Sequence, residues 1–248
     1  MKLAVVTGGC RRLGAAIAAR LAAEGYALAL HASRRAEPEL RLLEAIDEAG
    51  VQWKGFVADL SDPVQVENLL PGIADAFGKT PDLLVNSAAR FGEDRPETTT
   101  MDALLDHFAV NCAAPAVLCK AFAAQRRKPP GAIINVLDQR IAHPHGDQFS
   151  YTLSKMALSA MTDILARELA PAVRVNAVAP GLTLPTPDYG TEVLERAEQA
   201  MPLGRLPAPA QVADAAAWLA QAEAVTGQTI FVDGGAHVKA FARDFINM

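Results

Sequence analysis

The sequence contains little of what several large classes of protein depend on. Its three cysteines, Cys10, Cys112 and Cys119, show no CxxC pair and no metal-like spacing, which argues against a disulfide scaffold and favours reduced thiols inside a cell. No uninterrupted apolar run reaches membrane-spanning length. Lys and Arg number 23 against 28 Asp and Glu, and the net charge of −5 argues against a nucleic-acid surface, which needs a basic stripe. We therefore expect a globular, cytoplasmic protein that binds neither membrane nor nucleic acid.

What the sequence does contain is a regular alternation of short apolar runs with longer amphipathic stretches. Continuous apolar runs indicate strands buried on both faces, and the helices between them imply crossover connections and a parallel sheet. The alternation reaches almost to the end, which favours one domain over residues 1–248. We predict a doubly wound α/β fold with strands at 3–7, 26–31, 53–58, 82–86, 132–137, 173–179 and 228–232. The predicted helices are 13–24, 36–49, 62–77, 101–126, 151–169 and 209–221.

One segment, residues 182–207, interrupts this alternation. Four prolines, Pro185, Pro187, Pro202 and Pro207, surround the stretch "DYGTEVLERAEQAM". A proline-punctuated insertion between a strand and the last helix suits a lid over a pocket better than a linker, because the alternation resumes after it. We therefore predict a substrate lid near residues 182–207.

The first predicted strand runs into a glycine-rich turn, "TGGCRRLG". In a doubly wound sheet this turn doubles back tightly and presents the amides of a helix start to a phosphate, so glycines are required where side chains would block the approach. Gly8, Gly9 and Gly14 meet that requirement, although Arg12 occupies the place of a middle glycine. The position after a first strand favours dinucleotide binding over the alternative, a tight turn with a surface pair of arginines.

The end of the second predicted strand, "LHASRR", indicates which dinucleotide is bound. NAD-binding folds usually place a carboxylate there for the ribose 2′-OH, whereas the 2′-phosphate of NADP needs donors and positive charge. No carboxylate occurs before Glu37, and Ser33 and Arg34 can bind a phosphate. We therefore predict NADPH. The alternative is that Arg34 and Arg35 are solvated residues at the start of a helix.

Two further strand ends fit the same cofactor. The stretch "VADLSD" places Asp59 where a carboxylate can accept a hydrogen bond from an adenine amino group. The stretch "LVNSAA" places Asn86 and small residues where bulk would block the ribose. Each signal is weak alone, and both agree with the site that the glycine turn predicts.

A Tyr and a Lys four residues apart open the helix predicted at 151–169. Residues at this spacing share a helix face, so we expect the ammonium of Lys155 near the phenol of Tyr151 and near the cofactor ribose. A neighbouring cation should favour the phenolate and lower the pKa of Tyr151 from about 10 towards the working pH, which suits a proton donor. An exposed helix start is the alternative, but Asn111 in "FAVNCAAP" and the segment "NAVAPG" make chance a poor explanation.

Taken together, these motifs resemble the short-chain dehydrogenase/reductase family over nearly the full length, from "TGGCRRLG" to "VTGQTIFVDGG". The resemblance implies a Rossmann-like sheet, usually of seven strands, and dimers or tetramers built through the helices that contain Asn111 and Tyr151. It also implies that Tyr151 donates a proton, that Lys155 holds the ribose and tunes Tyr151, and that Asn111 orders a water relay. One position departs from the family pattern, because Asp138 stands where most members carry a serine.

The carboxylate at position 138 indicates which kind of bond is reduced. In carbonyl reduction the oxygen gains negative charge, which an ionised carboxylate opposes. In reduction of a carbon–nitrogen double bond the nitrogen gains a proton, and a carboxyl group beside Tyr151 can accept a hydrogen bond from the heterocycle or relay the proton. We therefore expect Asp138 to act on an imine. The alternative is a helix or turn cap that lies away from the chemistry.

Within the family, the combination of Asp138, Tyr151 and Lys155 is similar to that of the pteridine reductases and the bacterial dihydromonapterin reductases. The glycine turn is similar too, since Arg12 matches an arginine that lies near the cofactor phosphate and the pterin in those enzymes. This narrower resemblance implies a flat nitrogen heterocycle as the substrate.

Three other stretches carry the same resemblance. The motif "NSAARF" implies that Phe91 stacks on the pterin opposite the nicotinamide, which would hold a flat ring; a core aromatic is the alternative. The turn "LHASRR", with His31 and Arg34, resembles their NADPH-selecting turn. The stretch "PGLTLP", residues 180–185, matches the loop before their lid.

The resemblance assigns two sets of binding residues. Those expected at the cofactor are Gly8, Arg12, Leu13, Gly14, His31, Ser33, Arg34, Asp59, Leu60, Asn86, Ala88, Lys155, Pro180 and Gly181. Those expected at the substrate are Arg12, Phe91, Asp138, Tyr151, Gly181 and Leu182. No metal site is expected, since His143 and His145 lack a supporting cluster of ligands, and Asp147 is predicted to be solvated.

The function predicted from these residues is NADPH-dependent reduction of a dihydropterin, of the dihydromonapterin, dihydrobiopterin or dihydrofolate type, to the tetrahydropterin. Hydride would come from the nicotinamide, and the proton from Tyr151 or from the Tyr151–Asp138 couple. One rival hypothesis is a short-chain reductase that acts on an ordinary ketone or ketoacyl carbonyl. The other is a non-catalytic NADPH-binding sensor or scaffold subunit, against which the intact Tyr151, Lys155 and Asn111 argue.

Overall fold

The architecture is a parallel sheet with helices on both faces. A computed structural model describes residues 1–125, 130–184 and 190–247 of the chain. Its strands are β1 (Leu3–Thr7), β2 (Ala27–Ala32), β3 (Trp53–Val57), β4 (Leu83–Asn86), β5 (Gly131–Val136), β6 (Val173–Pro180) and β7 (Thr229–Val232). They pair in parallel in the order β3-β2-β1-β4-β5-β6-β7. The predicted doubly wound α/β sheet of about seven strands is confirmed.

Helices connect the strands and cover the sheet. They are α1 (Arg12–Ala23), α2 (Leu40–Ala49), α3 (Pro63–Phe77), α4 (Met101–Phe108), α5 (Ala114–Gln125), α6 (Phe149–Glu168), α7 (Thr191–Ala200) and α8 (Pro209–Gln221). A π-helical turn, Ala109–Ala113, joins α4 to α5. Short polar side chains start two of the helices, because Asp62 accepts from the amides of the first turn of α3 and Thr100 does so for α4.

Apolar side chains of the central strands point alternately to the two faces of the sheet. Ala4 and Val6 of β1 belong to one buried cluster, which includes residues of α1, α2 and α8. Leu3 and Val5 belong to the other, which includes residues of α3, α5 and α6. A strand buried on both faces needs an apolar residue at every position, so the continuous run "LAVVT" specifies a central strand.

The strand order reverses between β1 and β4, which opens a crevice at their carboxyl ends. The hydroxyl of Thr7, the last residue of β1, accepts hydrogen bonds from the backbone amides of Ser87 and Ala88, both at 3.0 Å. These bonds fix the segment after β4 against the turn after β1. The crevice therefore has a wall on each side whose position is set by the sheet.

Some predicted boundaries differ from those in the structure. Helix α2 begins at Leu40, not at residue 36, because Pro38 disfavours helical geometry at the residue before it. Helix α6 begins at Phe149, so Tyr151 lies within its first turn. The predicted lid contains a helix, α7, while residues 185–189, with Pro185 and Pro187, lie outside the described residues.

The helical stretch Met101–Gln125 is long and apolar enough, by length and composition, to cross a membrane, with a mean hydropathy of 1.3. Its apolar residues have another use in this fold. Leu118, Cys119 and Phe122 are fully buried in the cluster beneath the sheet, with α3 and the strands. Packing against the sheet therefore accounts for the hydropathy of this helix.

Candidate active site

The carboxyl ends of the strands enclose a cleft of about 740 Å³. Most residues predicted to bind the cofactor or the substrate line it, namely Gly8, Arg12, Leu13, Gly14, His31, Ser33, Arg34, Asp59, Leu60, Ala88, Asp138, Tyr151, Lys155, Pro180 and Gly181. Four predicted residues lie beside or behind its wall in the described part of the chain, namely Asn86, Phe91, Asn111 and Leu182. The fold therefore brings most members of the two predicted sets into one cavity.

The glycine turn after β1 is closed too tightly for side chains. A Cβ on Gly14 would lie 2.1 Å from the carbonyl oxygen of Gly8, and Gly8 itself has a left-handed φ of +63° beside Ala88. The N-cap residue of α1, Arg11, makes no side-chain cap, and its first turn contains no acidic residue. The amide of Arg12 donates to the carboxylate of Glu39 at 3.3 Å, so this helix start already attracts one anion, and a phosphate is a second anionic group that suits it.

Arg12 adopts a conformation that side-chain-bearing residues rarely take. Its φ is +55°, the left-handed region in which a glycine costs nothing and other residues cost about 1 kcal/mol or more. The place where Arg12 replaces a middle glycine therefore keeps the glycine geometry. Its guanidinium donates to the carbonyl oxygen of Leu184 at 3.1 Å, which joins the turn to the start of the predicted lid.

His31 connects the glycine turn to the neighbouring strand. The ring is buried, and burial lowers the pKa of His31, so the imidazole is neutral at pH 7. Its Nδ1 accepts from the amide of Gly8 at 3.3 Å, and its Nε2 lies 2.9 Å from the carbonyl oxygen of Ala58, to which it donates. Both ring nitrogens are thus used by the protein, and His31, which also lines the cleft, helps to fix the position of Gly8.

The end of β2 presents polar groups to the cleft, as predicted. Ser33 and Arg34 are exposed and line the cleft, while the guanidinium of Arg35 pairs with Glu37 at 2.8 Å. Asp59, after β3, accepts from the hydroxyl of Ser61 at 2.7 Å and from its amide at 2.9 Å. These hydrogen bonds lower the pKa of Asp59 and keep it a hydrogen-bond acceptor.

Asn86 lies behind the cleft. Its side chain is buried and donates to the side-chain oxygen of Asn135 at 2.8 Å, and Asn135 donates to the hydroxyl of Thr162 in α6 at 2.9 Å. This chain of hydrogen bonds holds β4, β5 and α6 together. The cleft wall after β4 is formed by Ser87 and Ala88, whose small side chains leave room for a ligand.

Asp138, Tyr151 and Lys155 meet at the floor of the cleft. The hydroxyl of Tyr151 donates to Oδ2 of Asp138 at 3.0 Å. The ammonium of Lys155 donates to the carbonyl oxygen of Val136 at 2.7 Å and lies 5.7 Å from the centroid of the Tyr151 ring. Asp138 also caps a 3₁₀ turn, Gln139–Ile141, because its Oδ1 accepts from the amide of Arg140 at 3.0 Å, but the alternative that such a cap lies away from the chemistry is wrong, since Asp138 lines the cleft. Asp138 therefore serves as a turn cap and as a partner of Tyr151.

The predicted lowering of the pKa of Tyr151 is wrong for this structure. Burial and the negative charge of Asp138 hold the pKa of Tyr151 well above 10. Burial also lowers the pKa of Lys155, to about 8, so Lys155 loses its proton at a lower pH than an exposed lysine does. Tyr151 consequently keeps its proton at neutral pH, as a donor requires.

Asn111 fixes the backbone of the residue before Phe91. Asn111, fully buried in the π-helical turn, accepts from the amide of Arg90 at 2.7 Å and donates to its carbonyl oxygen at 2.9 Å. It also donates to the hydroxyl of Ser154 at 2.9 Å. Phe91 follows directly, 51% exposed, with its ring 4.9 Å from that of Tyr151 in an edge-on arrangement. Phe91 is therefore a rim residue of the cleft and not a core aromatic.

The substrate side contains a charged residue that the sequence did not single out. Arg140 is only 6% exposed, and its Nε lies 3.3 Å from Oδ1 of Asp138. Its Nη2 lies 2.5 Å from Oδ2 of Asp244, in the C-terminal tail. The sequence holds no signal for this arrangement, because nothing local distinguishes a buried arginine from the solvated arginines nearby.

The expectation that Asp147 is solvated is wrong. Asp147 is 5% exposed and lies 3.0 Å from a guanidinium nitrogen of Arg95. It also accepts from the amide of Asp244 at 2.9 Å and from the side chain of Asn247 at 3.1 Å. The C-terminal tail packs over the loop before α6 and takes Asp147 out of water, which a sequence pattern could not reveal.

The lid side of the cleft begins at the end of β6. The amide of Gly181 donates to the carbonyl oxygen of Val232 at 3.0 Å, and a Cβ on Gly181 would lie 2.8 Å from Cα of Asp233. Leu182 packs against a small cluster that includes Ala197 and Met201, so it anchors α7. No group of three or more His, Cys, Asp or Glu side chains that could hold a metal occurs among the described residues.

Known proteins resemble this chain over nearly its whole length. The sequence model of a family described as enoyl-(acyl carrier protein) reductase matches residues 9–237. The solved structure of FolM alternative dihydrofolate reductase 1 from Brucella canis, complexed with NADP, is 35% identical, with a TM-score of 0.88 and 96% of this chain and 95% of that chain covered. The 3beta-hydroxysteroid dehydrogenase 1 of Eggerthella lenta is 35% identical, covering 94% and 93%. The 3-oxoacyl-acyl-carrier-protein reductase FabG of Staphylococcus aureus is 32% identical, covering 96% and 98%.

Proposed function

The chain belongs to the short-chain dehydrogenase/reductase family, and on that premise we propose that it is an NADPH-dependent reductase that takes a dihydropterin to the tetrahydropterin. The observation that carries the proposal is the hydrogen bond of 3.0 Å between the hydroxyl of Tyr151 and Oδ2 of Asp138. A carboxylate at the reacting position opposes the anion that forms in carbonyl reduction and suits a nitrogen that gains a proton. The acceptor in this proposal is therefore a carbon–nitrogen double bond.

The cofactor end of the cleft fits NADPH. Gly8 and Gly14 leave a cradle that a Cβ would fill, and Ser33 and Arg34 offer donors and positive charge at the end of β2. The similarity to a structure complexed with NADP supports the same cofactor. When bound, NADPH supplies the hydride that reduces the substrate carbon.

The proton for the substrate nitrogen comes from Tyr151. The phenol is neutral at pH 7, because burial and Asp138 hold the pKa of Tyr151 well above 10. Before the reaction the hydroxyl of Tyr151 donates this proton in a hydrogen bond to Asp138, which fixes the orientation of the hydroxyl. One hydride and one proton added across the carbon–nitrogen bond give the tetrahydropterin and NADP⁺, and solvent returns the proton to Tyr151 through Asp138.

A flat heterocycle also fits the rim of the cleft. The ring of Phe91 lies at 72° to that of Tyr151 and about half of its surface is exposed, which suits offset stacking on an aromatic substrate. Arg12 also lines the cleft, in the strained conformation described above, and its guanidinium reaches the start of the predicted lid. We assign Phe91 and Arg12 to substrate binding on this basis.

The test is a comparison of the wild type with Asp138→Ser on a dihydropterin and on a simple ketone. We expect kcat/KM for the dihydropterin to fall by about 100- to 10,000-fold, the range of acid–base catalysis, while ketone turnover survives or rises. Binding of NADPH should be unchanged. The matched control is Asp102→Ser, which removes a carboxylate from the first turn of α4. Equal losses on both substrates would contradict the assigned role of Asp138.

A second function, reduction of an ordinary carbonyl, is supported by the similarity to a 3-oxoacyl reductase and a hydroxysteroid dehydrogenase. Turnover of the wild-type protein on dihydrobiopterin, dihydrofolate and a panel of ketones separates the two. Binding of NADPH without turnover of any of these compounds would favour a sensor or scaffold subunit instead.

We further propose a cytoplasmic homo-oligomer, a dimer or tetramer built through α4, α5 and α6. Large apolar side chains on these helices are exposed in the isolated chain, including Met101, Leu105 and Ile164 at 69%, 59% and 60%. The three cysteines are free thiols, which is typical of proteins in a reducing compartment such as the cytoplasm. Sedimentation of the wild type and of Leu105→Glu tests the assembly; an unchanged mass would exclude this face.

A further inference from the structure

The side chain of Arg140 is a buried cation in a place where burial is costly. The residue is 6% exposed, and a guanidinium removed from water is tolerated only when its charge and its donors are met by the protein. The groups that face it are Asp138, Asp244, the loop residues 145–148 and the Tyr151 ring, whose centroid lies 5.6 Å from Cζ. Arg140 therefore has charged partners on both sides.

One side of the guanidinium is fixed by the loop and the tail. Nη1 donates to the side-chain oxygen of Gln148 at 2.6 Å, and Nη2 donates to Oδ2 of Asp244 at 2.5 Å. Asp244 is 4% exposed and lies 104 positions away in the sequence. Gln148 holds a left-handed φ of 50°, a strained conformation for a residue with a side chain, which persists only where its surroundings require it. The loop is thus shaped around Arg140.

The other side of the guanidinium faces the catalytic carboxylate. Nε lies 3.3 Å from Oδ1 of Asp138, an ion pair without hydrogen-bond geometry, and the backbone amide of Arg140 donates to the same oxygen at 3.0 Å. With Oδ1 held in this way, Oδ2 of Asp138 is the oxygen left for the hydroxyl of Tyr151. A rotation of the carboxylate would break both contacts with Arg140.

We propose that Arg140, anchored by Asp244 of the C-terminal tail, is a positioning residue that turns Oδ2 of Asp138 towards Tyr151 and the substrate. The C-terminal tail, residues 241–247, then contributes to the active site, because the carboxylate of Asp244 holds the guanidinium of Arg140 in place. This inference rests on the proposed function only for the identity of the substrate. The orientation of Asp138 is a property of the protein with any substrate.

The experiment compares four NADPH-loaded proteins, namely wild type, Arg140→Met, Arg140→Lys and Asp244→Asn. Asn247→Ala is the matched control, since it removes a contact between the tail and Asp147 without touching Arg140. Each protein is assayed on a dihydropterin and a ketone, its NADPH affinity is measured, and its crystal structure with NADPH is determined.

We expect Arg140→Met to lower kcat/KM for the dihydropterin by about 10- to 100-fold, the size of loss that a misoriented catalytic group causes, with NADPH affinity unchanged. Arg140→Lys should recover part of this loss, and Asp244→Asn should lose less than Arg140→Met. The control should match the wild type. Equal losses on dihydropterin and ketone, accompanied by weaker NADPH binding, would mean that Arg140 only stabilises the fold.

The crystal structures decide the inference without any assay. In Arg140→Met the Asp138 carboxylate should be rotated, with Oδ2 no longer in hydrogen-bond distance of the Tyr151 hydroxyl. An unchanged Asp138–Tyr151 pair in that variant would overturn the role of Arg140. If the wild type reduces no dihydropterin, the proposed function fails, and the same distances still test Arg140.

Discussion

The two ends of the cleft are built by different means. At the cofactor end the cleft is formed mainly by backbone, at Gly8, at Gly14 and at the start of α1. The charged side chain of Arg34 is exposed to solvent there. Around Asp138 and Tyr151, at the substrate end, the cationic side chains are buried, since Lys155 and Arg140 are 2% and 6% exposed. The first end depends on residues close together in sequence. The second depends on a contact between residues 104 positions apart.

This difference has an energetic consequence. A glycine turn and exposed arginines cost little to fold, whereas a buried ammonium or guanidinium costs several kcal/mol unless it is paired. At the substrate end we therefore expect residues that are needed for activity to lower the stability of the fold. Substitutions at the two ends should separate binding of the cofactor from stability of the fold.

The largest effect expected at the cofactor end is that of Gly14→Ala. The new Cβ would lie 2.1 Å from the backbone carbonyl oxygen of Gly8, so the turn must open, and loss of a charge-assisted hydrogen bond from the turn to a phosphate costs about 100-fold in affinity. We expect NADPH affinity, measured by fluorescence titration, to fall at least that far. The control is Gly72→Ala in α3, where a Cβ meets nothing within 4 Å. Equal affinities for the two variants would show that the turn is not a steric cradle.

At the substrate end, Lys155→Met should abolish activity and stabilise the protein. The pKa of Lys155 is lowered from 10.5 to about 8, so between these values the folded chain binds fewer protons than the unfolded chain and stability rises with pH. Below pH 8 the buried ammonium lowers the stability of the wild type by about 3 kcal/mol, and the variant avoids this cost. The variant also loses the hydrogen bond to Val136, which is worth about 1 kcal/mol, so a net gain remains. Urea unfolding at pH 7 should show the gain, and at pH 10.5 it should vanish. A loss of equal size at both pH values would refute this account.

The same contrast explains what could be predicted from the sequence. The strands, the glycine turn and the Tyr151–Lys155 spacing are recognised from local patterns. In the structure the glycine turn, Tyr151 and Lys155 all line one cleft. The burial of Arg140 and Asp147 is not predicted by any local pattern, because it depends on a tail that folds back over the loop before α6. Spacing rules contain no information about such a return of the chain.

The pKa of Tyr151 shows a related limit. A cation four residues away on a helix predicts a lowered pKa, yet burial and Asp138 raise it. The ammonium of Lys155 points to the carbonyl oxygen of Val136, and only the folded positions of β5 and α6 reveal this. Helical spacing identifies which residues are neighbours, whereas desolvation decides the sign of the shift.

A smaller effect is expected from Arg34→Ala, which tests the choice of cofactor. Loss of a charge-assisted hydrogen bond to the 2′-phosphate should weaken NADPH binding by about 10- to 100-fold and leave NADH binding unchanged. Arg35→Ala is the control, because the guanidinium of Arg35 already pairs with Glu37 at 2.8 Å. Titration of both variants with both cofactors gives the result. Similar losses for the two arginines would mean that general positive charge, and not Arg34, selects the phosphate.

The smallest effect is expected from Phe91→Leu, at the rim between the two ends. Stacking on an aromatic ring contributes about 0.5 to 1.5 kcal/mol, so KM for a dihydropterin should rise by roughly two- to tenfold, with KM for a simple ketone unchanged. Trp218→Leu is the control, an aromatic that is 55% exposed on α8 and remote from the cleft. If KM for both substrates rises equally, Phe91 acts by supporting Tyr151, against whose ring it packs at 4.9 Å, and not by holding a flat substrate.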